Sequence, residues 1–150
     1  MSKIVKRWGS LLLLAATTVL LVGKACSRET YGPYNVIGYN YTDRNIFLFN
    51  VDDFGAGSSE AHQAGGGGGI ACCLEIPKDA KTLHIKVVLD LTQEQDDKNL
   101  TPETYETEIP VPALPNKHDG YIEFHFLPER KIEAQWVEFP TTPRIPNATK

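Results

Sequence analysis

Short runs in which β-branched and aromatic residues alternate with polar ones occupy most of the chain, and this pattern constrains the fold most. Seven such runs occur, at residues 34–41, 45–51, 70–76, 82–91, 105–112, 121–127 and 131–139. A period of two places one side of a run in a core and the other side in solvent, as in a β-strand. Segments rich in Gly, Pro, Asp and Asn separate the runs, and these residues favour turns. The pattern therefore predicts an all-β domain.

The spacing of the runs indicates the architecture. Seven short strands within about a hundred residues predict an antiparallel β-sandwich, immunoglobulin-like, with a small open barrel as the alternative. In the sixth run Ile122, Phe124 and Phe126 share the predicted core face. The segment "TDR" at 42–44 has the chemistry of a hairpin turn between the first two runs, and "DDFGAGSS" at 52–59 is interpreted as a breaker. We expect no long helix, because no stretch of ten or more residues shows a 3.6-residue period.

The first 25 residues form a separate segment. Basic residues near Met1 precede the uncharged stretch Trp8–Gly23, and a small residue, Ala25, precedes Cys26. This order is typical of an export signal, and the apolar core is too short for a membrane-spanning helix. The segment is similar to a bacterial lipoprotein signal, which implies acylation of Cys26, and Ser27 at the next position favours the outer membrane. A secreted protein cleaved after Ala25 and an uncleaved short anchor are the alternatives.

These boundaries divide the chain into four parts: a signal peptide (1–25), a polar tether (26–33), the β-domain (34–139) and a tail (140–150). The tail contains three prolines and few apolar residues, so we expect it to be disordered. Of the 15 lysine and arginine residues four lie in the signal, whereas all 19 acids follow it, so the mature part carries a net charge of about −8. Such an acidic body argues against nucleic-acid binding.

Five consecutive glycines precede the third predicted strand: Gly65, Gly66, Gly67, Gly68 and Gly69. A nucleotide-binding P-loop requires a lysine, a hydroxyl residue and a helix after its glycines, whereas Ile70 and Ala71 continue here as a strand. The glycines therefore indicate a loop with positive φ angles or close packing. The stretch "GSSEA" at 57–61 lacks the second glycine of a hydrolase nucleophile elbow, so we interpret it as a polar loop.

Two adjacent cysteines, Cys72 and Cys73, follow the glycines. Their spacing matches neither a zinc site nor a Cys-x-x-Cys redox motif. In an oxidising compartment they either form a vicinal disulfide, or one is buried as a small apolar residue. We expect a structural role for both thiols. The sequence predicts no catalytic residue, metal ligand or cofactor, and the acids of 94–108 are interpreted as a solvated face.

Four stretches together resemble a family of small bacterial lipoproteins that constitute a domain of unknown function. They are residues 36–57 with "NYTDR", 65–77 with the glycines and Cys-Cys, 105–112, and 120–130 with "HFLPER". The resemblance marks Tyr41, Thr42, Asp43 and Arg44, together with the five glycines, as motif residues that could bind a partner. Members are commonly encoded beside type VI secretion phospholipase effectors, which implies an immunity protein.

The resemblance leads to a functional expectation. The protein is expected to be an envelope lipoprotein that faces the periplasm, is held at the membrane by its N-terminal lipid, and neutralises a secreted lipase or phospholipase effector. It is not expected to be an enzyme. The alternatives are a structural or assembly lipoprotein with no toxin partner, and a small enzyme or metal protein that uses Cys72, Cys73 and a histidine.

Overall fold

Two four-stranded sheets pack face to face in the computed structural model, which describes residues 28–62, 69–116 and 118–141. The first sheet has the strand order β4-β1-β7-β8, and the second has the order β3-β2-β5-β6. Within these residues the strands are β1 (Thr30–Asn40), β2 (Ile46–Val51), β3 (Phe54–Ser59), β4 (Ala71–Pro77), β5 (Thr82–Leu89), β6 (Thr104–Pro110), β7 (Tyr121–Phe126) and β8 (Ile132–Val137). The predicted sandwich is confirmed. Neighbouring strands are antiparallel except β1 and β7, which are parallel.

Apolar side chains from both sheets fill the space between them. Phe49 of β2 is fully buried, with its ring centroid 4.9 Å from that of Phe126 and 5.8 Å from that of Phe124. A Cβ added to Gly38 of β1 would lie 2.9 Å from the Phe49 ring, so the glycine makes room for this phenylalanine. Ile122, Phe124 and Phe126 lie in the core, as the alternation predicts. Burial of each such side chain stabilises the fold by about 1.5–3 kcal/mol.

The segment interpreted as a breaker forms a strand instead. β3 pairs with β2, although Gly55, Gly57 and Ser58 have low strand propensity. Ala56 and Ser59 are 1 % exposed, and the Ser59 hydroxyl donates to the Gly38 carbonyl at 3.0 Å. Pairing with β2 and contact with β1 therefore outweigh the local propensity.

The predicted hairpin at 42–44 is wrong, because β1 and β2 lie in different sheets. Packing of Phe49 over Gly38 stacks the two strands instead of pairing them edge to edge. The crossover is held by Asn40 rather than by Asp43. The Asn40 Oδ1 atom accepts from the Thr42 amide at 2.9 Å, and its Nδ2 atom donates to the carbonyls of Arg44 and Ser59. This side-chain bonding gives the backbone a sharp turn that needs no sheet partner.

A short helix, α1 (Gln93–Asp97), lies in a stretch that the sequence indicated as a loop. Thr92 caps its start, since the Thr92 hydroxyl accepts from the Gln95 amide at 3.2 Å. The Gln95 side chain accepts from the Thr92 amide at 3.0 Å in return, which completes a capping box. Five residues are too few to produce a helical period in the sequence. Among the described residues no helix is long and apolar enough to cross a membrane.

The strand directions give the sandwich two distinct ends. The chain enters at one end, where Arg28 pairs with Asp79 at 3.0 Å; we call this the entry end, and it includes residues 28–29, 52–53 and 78–81. β1 runs away from it to the far end, which includes residues 41–45, 60–62, 90–103 and 127–131. Since a strand rises about 3.3 Å per residue, the 11 residues of β1 place the ends roughly 30 Å apart.

Candidate functional site

The motif residue Arg44 fastens the far-end loops to one another. Its guanidinium group donates to the Asp90 carbonyl at 2.7 Å and to the Gln95 side chain at 3.2 Å. It also lies 3.9 Å from the Glu103 carboxylate. The loop before β2, helix α1 and the segment before β6 are therefore joined through one side chain. This arrangement assigns Arg44 a positioning role.

Asp43, beside it, projects outward. Its side chain is 96 % exposed, and its Oδ1 atom lies 2.6 Å from Nε2 of His62. His62 has a φ angle of 50°, in the left-handed region that is uncommon for a residue other than glycine. The first motif loop thus meets the segment that leads into the glycine run.

The turn between β7 and β8 is also left-handed. Glu129 and Arg130 both have φ angles of 60°, and the Lys131 amide donates to the Pro128 carbonyl at 3.3 Å. Positive φ angles at Glu129 and Arg130, the two central residues of the four-residue turn 128–131, are typical of a type I′ turn, which favours Asn and Gly. The Arg130 guanidinium pairs with Glu103 and lies 5.2 Å from the centroid of the Tyr105 ring. Strained backbone of this kind clusters at functional sites.

These elements enclose a groove of about 490 Å³ at the far end. Tyr41, Leu89, Tyr105 and Pro128 supply its apolar lining, and Asp43, His62, Glu129 and Arg130 supply charged or polar groups. We call this set of eight residues the far-end groove. Arg44 and Thr42 also contact it. Residues that lie as much as 89 positions apart in the chain (Tyr41 and Arg130) therefore contribute to one surface.

A second polar feature lies on the outer face of the first sheet. Glu123 of β7 is fully buried there, and the hydroxyl and amide of Thr141 donate to its carboxylate at 2.6–3.0 Å. Gln135 donates at 2.8 Å and the Tyr39 hydroxyl at 3.4 Å. Burial and the Glu123 carboxylate raise the pKa of Tyr39 to about 12. A buried carboxylate requires such donors, since an unpaired one would be costly.

His125 connects this carboxylate to the motif. Its Nε2 atom lies 3.5 Å from Glu123, and its Nδ1 atom lies 3.0 Å from the Tyr41 hydroxyl. Burial lowers the pKa of His125, and the carboxylate partly opposes this. Carboxylate, imidazole and hydroxyl stand in the order used for nucleophilic catalysis. Burial raises the pKa of the Tyr41 hydroxyl. The cluster holds Thr141 and Tyr41 in place through these contacts.

A sequence comparison decides the family. Residues 39–134 match the family described as protein of unknown function (DUF3304). The chain belongs to this family. No curated protein and no solved structure matches the chain. The DUF3304 region contains "TDR", Cys-Cys and "LPER", and the first and last of these contribute to the far-end groove.

The other predicted motif residues have different positions. Of the glycines, Gly69 immediately precedes Ile70 and β4, whereas Gly65 to Gly68 lie outside the described residues, as does Cys26. Cys72 and Cys73 are exposed and are bonded to each other through their sulfur atoms. Cys73 is the extra residue of a bulge, since Leu74 pairs with Tyr34 and Cys72 with Asn35. The disulfide alternative is therefore the one found, and it lies outside the far-end groove.

Sequence reasoning missed His62, Tyr105, Glu123, His125, Glu129 and Arg130 as parts of these two features. One signal was present in β1, where Tyr39 and Tyr41 alternate with Gly38 and Asn40. Large aromatic residues on the solvent side of a strand indicate that this side is also covered. Among the described residues no group of three or more His, Cys, Asp or Glu side chains is placed to hold a metal ion.

Proposed function

We propose that this DUF3304 protein is an envelope lipoprotein that binds and neutralises a secreted phospholipase effector. The single observation that carries the proposal is the convergence of three motif-bearing segments on the far-end groove: the "TDR" loop, the residues leading into the glycine run, and the "LPER" turn. The strand directions bring these loops to one end of the sandwich, and loop clusters on a rigid sheet scaffold commonly carry binding residues.

The position of the groove supports a partner that approaches from the periplasm. Cys26 precedes Arg28 by two positions in the sequence, and Arg28 lies at the entry end. If Cys26 is acylated, the entry end faces the outer membrane and the far end extends roughly 30 Å from it, given the rise of about 3.3 Å per residue along β1. A soluble effector could then reach the groove without contacting the lipid.

The side chains of the groove favour protein binding over catalysis. Tyrosine and arginine are among the residues that contribute most to protein interfaces, and the Arg130 guanidinium lies over the Tyr105 ring. The charged groups of the groove surround buried apolar side chains, Tyr41 and Leu89, each 9 % exposed. An apolar centre with a polar margin is the usual anatomy of an interface.

A neutralisation assay tests the proposal. Cells that export a type VI secretion phospholipase effector should survive when the full chain is produced and die when it is not. The full chain, extracted in mild detergent, should form a stoichiometric complex with the effector and abolish its lipase activity. Equal survival without the protein would refute the immunity role. An envelope defect on deletion in cells without any effector would favour a structural lipoprotein instead.

A further inference from the structure

The Glu129 carboxylate is exposed and has no ion pair or hydrogen bond with any residue in the described part of the chain. Its backbone is nevertheless held in the left-handed region, at φ 60° and ψ 26°. A residue other than glycine is less stable in this region, and the Glu129 side chain offsets this cost with no hydrogen bond or ion pair among the described residues. The neighbouring Arg130 differs, since its side chain pairs with Glu103.

Asp43 is the second outward carboxylate of the far-end groove, with its side chain 96 % exposed beside His62. The cations nearby are engaged within the fold: Arg44 binds the Asp90 carbonyl and Gln95, and Arg130 pairs with Glu103. Of the two outward carboxylates, Glu129 has no ion pair or hydrogen bond among the described residues, whereas Asp43 pairs with His62 but is 96 % exposed and so can also face a partner cation. The far-end segments also carry other acids, namely Glu60, Asp90, Glu94, Asp96, Asp97 and Glu103.

The same groove has an apolar lining. Tyr41 and Leu89 are largely buried, and Tyr105 is half-buried. A volume of about 490 Å³ accommodates one or two side chains rather than a folded domain. The complementary shape is an extended or looped segment with an apolar side chain and an adjacent cation.

We propose that the far-end groove binds a partner segment in which a lysine or arginine adjoins an apolar side chain, with Glu129 and Asp43 pairing with the cation. The inference rests on the proposed function, because it specifies the chemistry of the effector surface that this groove binds. The net charge of about −8 for residues 26–150 acts in the same direction, since an acidic body attracts a basic surface.

Charge reversal at one position tests this chemistry. Glu129→Lys in the full detergent-extracted chain should weaken binding to the effector about tenfold at low ionic strength, because like charges then oppose each other. The difference should shrink at about 0.5 M salt, where screening is strong. Asp53→Lys makes the same charge change in an exposed turn at the entry end, and it should leave affinity within about twofold. Glu129→Gln, which removes the charge without reversing it, should weaken binding about threefold.

Three outcomes separate this inference from the proposed function. If Glu129→Lys weakens binding and replacing a basic residue of the effector by glutamate restores it, the inference stands. If the wild-type complex forms but Glu129→Lys and Glu129→Gln bind as tightly as Asp53→Lys, the partner chemistry is wrong while the binding function stands. If the wild-type chain forms no complex, both are overturned.

Discussion

Replacing Glu129 by glycine should make the fold more stable. A left-handed residue other than glycine costs about 1–2 kcal/mol, and the greater freedom of an unfolded glycine offsets about 0.5–1 kcal/mol of this. Glu129 has φ 60° and no partner among the described residues, so no contact is lost. The expected gain in the free energy of unfolding is about 0.5–1 kcal/mol, which corresponds to an increase of roughly 2–5 °C in Tm.

Arg130→Gly is the matched control for this prediction. The φ angle of Arg130 is also 60°, so the glycine substitution relieves the same backbone strain. It removes the pairing with Glu103 and the contact with the Tyr105 ring, worth about 0.2–1 and 0.5–1 kcal/mol respectively. The net change in the free energy of unfolding should therefore be near zero or negative. Urea titration of both variants against the wild-type chain measures the difference.

A functional assay completes this prediction. If Glu129 is retained for a partner, Glu129→Gly should bind the effector more weakly although it unfolds at a higher urea concentration. A variant that loses stability would show that the Glu129 side chain stabilises the turn, and the argument from strain would be refuted. A variant that gains stability and keeps full affinity for the effector would show that the left-handed backbone at Glu129 has no role in binding.

Three further predictions concern the core and the outer face. Glu123→Leu should lower the free energy of unfolding by about 1–3 kcal/mol, since the buried Tyr39 hydroxyl and the part-buried donors of Thr141 and Gln135 lose their acceptor; an unchanged free energy in urea titration would contradict this network. Gly38→Ala should cost about 1–3 kcal/mol, because its Cβ would lie 2.9 Å from the Phe49 ring, and an unchanged Tm would argue against this packing. The pKa of His125 is lowered in the folded protein. Neutral His125 therefore contributes fully to the free energy of unfolding above the unfolded pKa of about 6.5, and this contribution is lost as pH falls from there through the lower folded pKa. His125→Phe should therefore flatten the stability profile in that window, and an identical slope in the variant would contradict the assignment.

The sandwich could be predicted because its core follows local alternation. Ile122, Phe124 and Phe126 recur every second residue, and a buried sheet face requires such a period. β3 could not be predicted, because Gly55, Gly57 and Ser58 resemble a turn and only pairing with β2 makes them a strand. The hairpin at 42–44 failed for a related reason. Turn residues indicate where a chain bends, but they do not indicate which sheet it enters next.

The candidate site, like the fold, could be predicted only in part. The motif residues Tyr41 to Arg44 could be located from the sequence, but their groove could not, since Tyr105 and Arg130 reach it only through the packing of β6 and the β7–β8 turn. The break at 128–130 could be predicted, but its turn type could not, because Glu-Arg replaces the Asn-Gly that marks type I′ geometry. Alternation placed Glu123 on the face opposite the predicted core, and no sequence signal marked it as buried. It contacts Thr141, which lies 18 residues away in the tail predicted to be disordered.

The most direct test of the account is hydrogen–deuterium exchange of the full detergent-extracted chain, measured with and without the phospholipase effector. The account predicts that bound effector slows exchange at the far end, at residues 41–45, 60–62 and 127–131, while the turns at 52–53 and 78–81 remain unchanged. Protection confined to the entry end, or equal exchange in both samples despite a formed complex, would contradict the claim that the far-end groove is the binding surface.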